Sequence, residues 1–192
     1  MRQTDVDYGL LHNIISKRPS IPMKANVIAI HCRLGDVCVY PDVRMGRAQT
    51  PEEILTNGIT TSNGMYMHSF PHYANQVTRL KNIAASKGVP VSVVLITGSH
   101  LKDEHIRRLG LAQERTTEKV LQQMKERFES MSVSCSIRAG GDPDEDFVYM
   151  CRVPAFIPSG GGYTELISNY RSYIRSAHAR QKAPTRGRWG LM

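Results

Sequence analysis

Two stretches of this chain carry residue types suited to an anionic ligand. The first is Ile30-His31-Cys32-Arg33-Leu34-Gly35-Asp36-Val37, at the end of the apolar run 26–31. Arg33 is a fixed cation whose planar fork can bind two oxygens at once, which suits a diphosphate. The plainer reading is an Arg33–Asp36 ion pair, with Gly35 and Asp36 making a turn. His31-Cys32 also suggests a cysteine phosphatase loop. That chemistry needs an arginine six residues after the nucleophile, and position 38 is Cys. The second stretch is Ser159-Gly160-Gly161-Gly162-Tyr163-Thr164, between the apolar run 154–158 and an amphipathic segment. Glycine backbone can approach a phosphate closely, and the positive end of a helix favours negative charge. The stretch is not a Walker loop, because no Lys follows the last Gly, and it is not GxGxxG. A tight turn accounts for it equally well.

Other groups offer further chemistry. Asp142-Pro143-Asp144-Glu145-Asp146 has the Asp-x-Asp spacing that holds Mn²⁺ or Mg²⁺ on a diphosphate. A helix cap explains Asp142 equally, and no metal ligand is assigned. A base for a hydroxyl acceptor would come from the histidines His12, His31, His68, His72, His100, His105 and His178. His31 lies within the first motif, where ordering the loop is its other role. The cysteines 32, 38, 135 and 151 include no CxxC pair. Buried free thiols are expected rather than a zinc site.

The elements that must position these groups alternate between strand and helix. Strands are expected at 26–31, 91–97, 132–137 and 154–158, from apolar or alternating runs. Thr50-Pro51-Glu52-Glu53 reads as a capping box opening a helix. Helices are expected over 71–87, with Val77, Leu80, Ile83 and Ala84 on one face, and over 117–129, with Val120, Leu121, Met124 and Phe128 inward. Asp142 starts a helix to about 151, and a last one runs from 163 to about 179. This is an α/β pattern: a Rossmann-like parallel sheet flanked by helices. In such sheets ligands bind beyond the carboxyl ends of the strands. That edge would gather three loops: 31–36, the Thr97-Gly98-Ser99-His100 loop, and 159–163.

Composition sets the class. With 192 residues, 41% hydrophobic and 22% charged, the chain suits one soluble domain. No run reaches the length of a membrane span and no signal-peptide core is evident, so the chain reads as cytoplasmic. Of the net charge of +8, six come from Arg171, Arg175, Arg180, Lys182, Arg186 and Arg188, leaving +2 for the rest. The expected layout is one domain over 1–179 and a basic, flexible tail over 180–192. The tail is either solubilising or an arm for anionic lipid or nucleic acid. The body lacks the interleaved basic and aromatic residues of a nucleic-acid platform, so no nucleic-acid partner is expected.

Together, His31-x-Arg33-x-Gly35-Asp36 and the stretch from Asp144 to Ile167 resemble the fucosyltransferase superfamily of α1,2-, α1,6- and protein O-fucosyltransferases. The likeness covers about 26–178. It implies the donor-binding half of a GT-B-type, metal-independent, inverting glycosyltransferase. The implied donor is a nucleotide sugar, GDP-fucose by family default, with no cofactor. The implied acceptor is a glycan or protein hydroxyl, with a further domain as a source of acceptor contacts. By that pattern Arg33 contacts the donor diphosphate, with Gly35 and Asp36 beside it; His31 is a candidate catalytic residue from its type and place in the motif. Ser159, Gly160, Gly161, Gly162, Tyr163 and Thr164 hold the phosphates. Thr97, Gly98, Ser99, His100, Asp144 and Asp146 lie near the nucleoside. Gly-Gly-Tyr stands here where familiar members have Ser-Ser-Phe or Ser-Thr-Phe. Two other functions stay open: a non-catalytic nucleotide- or phosphate-binding module, and a basic nucleic-acid-binding protein.

Overall fold

The computed structural model describes residues 6–19, 26–38, 41–98 and 103–182, with side chains excluded for 103–114 and 180–182. The expected tail thus lies outside the described residues, apart from the last turn of the final helix.

Four strands form one parallel sheet: β1 (Val27–His31), β4 (Ser92–Thr97), β5 (Ser134–Ala139) and β6 (Ala155–Ile157), in the order β5-β4-β1-β6. Every residue of β1 is buried, because helices cover both sides of a central parallel strand. Alternate residues feed two cores. Ile28, Ile30, Val93 and Leu95 face Tyr73, Met124 and Phe128. Val27, Ala29 and Ile96 face Ile15, Met150 and Ile167. The sheet is the expected Rossmann-like α/β arrangement.

The connections account for the layers. From β1 the chain passes through α2 (Pro51–Asn57), β2 (Ile59–Thr61), β3 (Gly64–Met67) and α3 (Phe70–Ala85) to β4, then through α4 (Asp103–Ser130) to β5. It returns through α5 (Pro143–Arg152) to β6, on the other side of β1, and ends in α6 (Gly162–Lys182). Reversing the direction of travel puts α5 and α6 on the opposite face from α3 and α4, as a preference for one crossover hand requires.

Local signals hold where they are strong. Thr50 and Glu53 form the expected capping box, and Asp142 caps α5 by accepting from the backbone N–H groups of Asp144 and Glu145. Val120, Leu121, Met124 and Phe128 are buried, as their spacing predicts. All four cysteines are free and buried, three in the first core and Cys151 in the second.

Other expectations need correction. Of the residues expected on the inner face of α3, Val77 is fully buried and Leu80 packs partly covered against the core, but Ile83 is 51% exposed. Helix α4 begins fourteen residues before the expected 117, because Glu, Arg, Leu, Ala and Gln favour helix without an apolar stripe to announce it. Helix α1 (Tyr8–Lys17) is unanticipated, although Asp7 caps it by accepting from Gly9 and Leu10. The β2–β3 hairpin was also missed; Asn63-Gly64, with Gly64 at φ 117°, is its signal. Arg171 is not part of a solvated basic excess. Its guanidinium donates to the carbonyls of Met150, Cys151, Val153 and Pro154 at 2.7–3.1 Å, closing the end of α5.

Candidate functional site

The order in which strands are added reverses at β1, with β4 and β5 on one side and β6, also parallel, on the other, and the two motif loops leave the carboxyl ends of β1 and β6. This is the switch point where open α/β sheets make a crevice. His31 ends β1 and Ser159 opens the glycine loop, and His31 Nδ1 lies 2.9 Å from Ser159 Oγ. The two stretches, 128 residues apart in sequence, are thus joined by a buried hydrogen bond.

His31 is 2% exposed, with its ring 5.4 Å from that of Tyr163. It lines a crevice of about 10 Å³ shared with Gly98, Asp146 and Tyr163. Tyr163 donates its hydroxyl to the carbonyl of Pro143 at 2.9 Å, and burial raises its pKa. Thr164 is also inward: its hydroxyl lies 2.9–3.2 Å from the carbonyls of Ser159, Gly160 and Gly161, pinning the loop to the first turn of α6.

The glycines have distinct reasons. A Cβ on Gly160 would collide with the carbonyl of Met65, and the Gly160 N–H donates to Tyr66 O at 3.0 Å. Gly160 is therefore the point where the loop docks on the β2–β3 hairpin. Gly161 has φ 90°, which favours glycine, and its missing Cβ faces the Tyr66 ring at 3.7 Å. Gly162 begins α6, whose positive end points into the loop.

Arg33 stands across Tyr66 from this loop, its guanidinium carbon 6.0 Å from the ring centroid. Its Nη1 lies 2.9 Å from Asp36 Oδ1 and donates to Leu34 O at 3.3 Å. Among the described residues, Nε and Nη2 make no hydrogen bond. An arginine has five donors, so the Asp36 pair leaves capacity for an anion. Gly35 and Asp36 lie in a short 3-10 turn, Gly35–Cys38, rather than a simple reverse turn. Gly35 has φ 81°, and its N–H donates to Thr117 Oγ1 at 3.2 Å.

The remaining predicted residues spread along the same edge. Thr97 ends β4 with a buried hydroxyl that has no partner among the described residues, and Gly98 follows it. Ser99 and His100 lie outside the described residues. Asp146 is 3% exposed and paired with Arg138 at the end of β5, whereas the Asp144 side chain is 79% exposed, 3.6 Å from Arg18. Asp142, Asp144 and Asp146 thus diverge. Among the described residues no three metal-ligating side chains converge.

Motif reasoning overlooked the hairpin and the loop before α2. Beside Arg33 they form a cleft of about 670 Å³, lined by Asp36, Val43, Thr61, Asn63 and Tyr66 among others. Asp42 holds its floor. It accepts from Gln49 Nε2 at 2.8 Å, the Arg44 N–H at 2.9 Å and the Thr60 N–H at 3.4 Å, and its hydrogen bonds from Arg44 lower its pKa. Asp42→Ala orphans those donors and should lower stability by about 3 kcal/mol. Denaturant titration checks this; an unchanged midpoint would show the network to be dispensable.

Fold and site define a Rossmann-like α/β domain with a cation and a glycine loop on either side of its switch point. No protein-family model, curated protein or solved structure matches the chain. No helix among the described residues is long and apolar enough to cross a membrane.

Proposed function

We propose that the protein is a fucosyltransferase-like glycosyltransferase. In this reading it binds a nucleoside-diphosphate sugar, GDP-linked by preference, and transfers the sugar to a hydroxyl with inversion. The observation that carries this reading is the meeting of the two motif loops at the switch point, through His31 and Ser159. The acceptor oxygen attacks the anomeric carbon as the bond from that carbon to the diphosphate breaks. The bonding pair leaves with the diphosphate. Arg33 and the N-terminal end of α6 stabilise the growing charge from fixed positions, which is where electrostatic catalysis gains most. His31 then acts as a positioning residue, holding Ser159 and the glycine loop.

The Arg33–Asp36 pair at 2.9 Å favours a second reading, a nucleotide-binding module without catalysis. Thermal-shift measurements with GDP, UDP, ADP and GDP-fucose in EDTA distinguish the two. GDP and GDP-fucose should stabilise the protein, by about 2.7 kcal/mol at a hundred times Kd. If no nucleotide raises the melting temperature, the donor reading is wrong; stabilisation without sugar transfer favours the module. A loss of binding in EDTA that Mn²⁺ restores would move the diphosphate to Asp142, Asp144 and Asp146.

A further inference from the structure

We infer that Tyr66 is a positioning residue for the diphosphate: its ring sets where the Arg33 guanidinium stands relative to the glycine loop. The inference rests on the donor reading above and adds the β2–β3 hairpin to that site.

Tyr66 reaches both motif loops. Its ring centroid lies 6.0 Å from Arg33 Cζ, within reach of a cation–π contact. Its Cδ1 and Cε1 lie 3.7 and 3.9 Å from where a Cβ on Gly161 would stand. The backbone that carries the ring is itself docked, because the Tyr66 carbonyl accepts from the Gly160 N–H at 3.0 Å. The ring also packs against the first core. His31 and Ser159 join the two loops where they begin. Two residues further along each loop, Arg33 and Gly161 meet through Tyr66.

Arg33 needs such a support. Among the described residues, its hydrogen-bond and ion-pair partners lie in its own loop: Nη1 is 2.9 Å from Asp36 Oδ1 and 3.3 Å from Leu34 O. Both contacts hold the same corner of the fork. A long side chain anchored at one nitrogen can still swing about it, and each binding event would then carry the entropy of stopping that motion. A flat ring beside the guanidinium restricts the swing by shape and attracts the cation by its face. Arg33 and the N-terminal end of α6 then meet an anion at a fixed separation. Misplacing such a group by about 1 Å can cost about a hundredfold in rate. The Tyr66 hydroxyl makes no hydrogen bond among the described residues, so the ring is the working part.

Isothermal titration with inorganic pyrophosphate and with GDP tests this on the wild type, Tyr66→Phe, Tyr66→Leu, Arg33→Ala and the double variant Arg33→Ala, Tyr66→Leu. Tyr66→Leu should weaken both ligands about tenfold, while Tyr66→Phe stays within about twofold of the wild type. In the Arg33→Ala background Tyr66→Leu should change affinity by less than about twofold, because the ring acts through that guanidinium. An equal loss in both backgrounds overturns the inference. Should Tyr66→Leu fail to fold, as circular dichroism would show, Tyr66→Val takes its place, being suited to a strand. The Arg33 Nε–H resonance, assigned by its absence in Arg33→Ala, gives a second reading with no ligand present. The ring current should displace it in the wild type and in Tyr66→Phe but not in Tyr66→Leu. A resonance that Tyr66→Leu leaves unmoved overturns the inference even where Arg33→Ala binds too weakly to titrate. Wild-type binding that Tyr66→Leu leaves intact also overturns it, with the donor reading still standing. A wild type that binds neither ligand overturns the donor reading, and the inference with it.

Discussion

Replacing Arg33 by alanine should lower kcat/KM about a hundredfold or more, roughly 3 kcal/mol of transition-state stabilisation. That is the size of effect seen when one preorganised donor to a developing anion is lost. Arg33→Lys should recover little, because an ammonium cannot hold Asp36 and a diphosphate as a fork does. The structure adds a second cost. Asp36 would be left half-buried without its cation, and stability should fall by about 1–2 kcal/mol, between the values for exposed and buried pairs. The double variant Arg33→Ala, Asp36→Ala separates the two effects. It should regain the stability while transfer stays lost. If Arg33→Ala alone keeps donor affinity and turnover, Arg33 is a structural ion-pair residue and the site has been misplaced.

Gly160→Ala should destabilise the protein by about 3 kcal/mol, near the upper end for overpacking. The added methyl would meet a backbone carbonyl, that of Met65, which no rotamer change can move. Relief requires the hairpin and the glycine loop to separate, breaking the Gly160–Tyr66 backbone bond. For a chain of this size that is a fall of about 6–12 °C in melting temperature. Gly161→Ala should cost less, about 1–2 kcal/mol, since its Cβ has room and only the φ of 90° is unfavourable. A scanning-calorimetry ranking with Gly161→Ala below Gly160→Ala would show that the hairpin does not rest on this loop.

That contrast marks how far the sequence could be read. A glycine-rich loop between strand and helix is legible, and so is its place beside the loop after β1, because alternating elements and a parallel sheet leave few topologies. The buried strands and the apolar faces around Val77 and Met124 are legible for the same reason: their burial is written in local periodicity. The role of Gly160 is not. It depends on Met65, nearly a hundred residues away, in a hairpin whose only mark is Asn63-Gly64. Asp42 looks like any loop carboxylate until Gln49 and Thr60 converge on it. Asp146 looks like a ligand until Arg138 reaches it from β5. Arg171 looks like part of a basic tail until the end of α5 presents four carbonyls. In each case the partner is set by tertiary approach, and side-chain type alone does not name it.

The buried thiols make the molecule its own clock. Only a thiolate reacts readily with an alkylating reagent. Burial pushes Cys38 up to about 11, Cys135 and Cys151 to about 12, and Cys32 further still. All four are also buried, so a reagent in neutral solution should react mainly when the chain opens. Cys32, Cys38 and Cys135 report on one layer beside the sheet and Cys151 on the other. Mass-resolved labelling of the native protein would then read the opening of each layer separately, with no probe introduced.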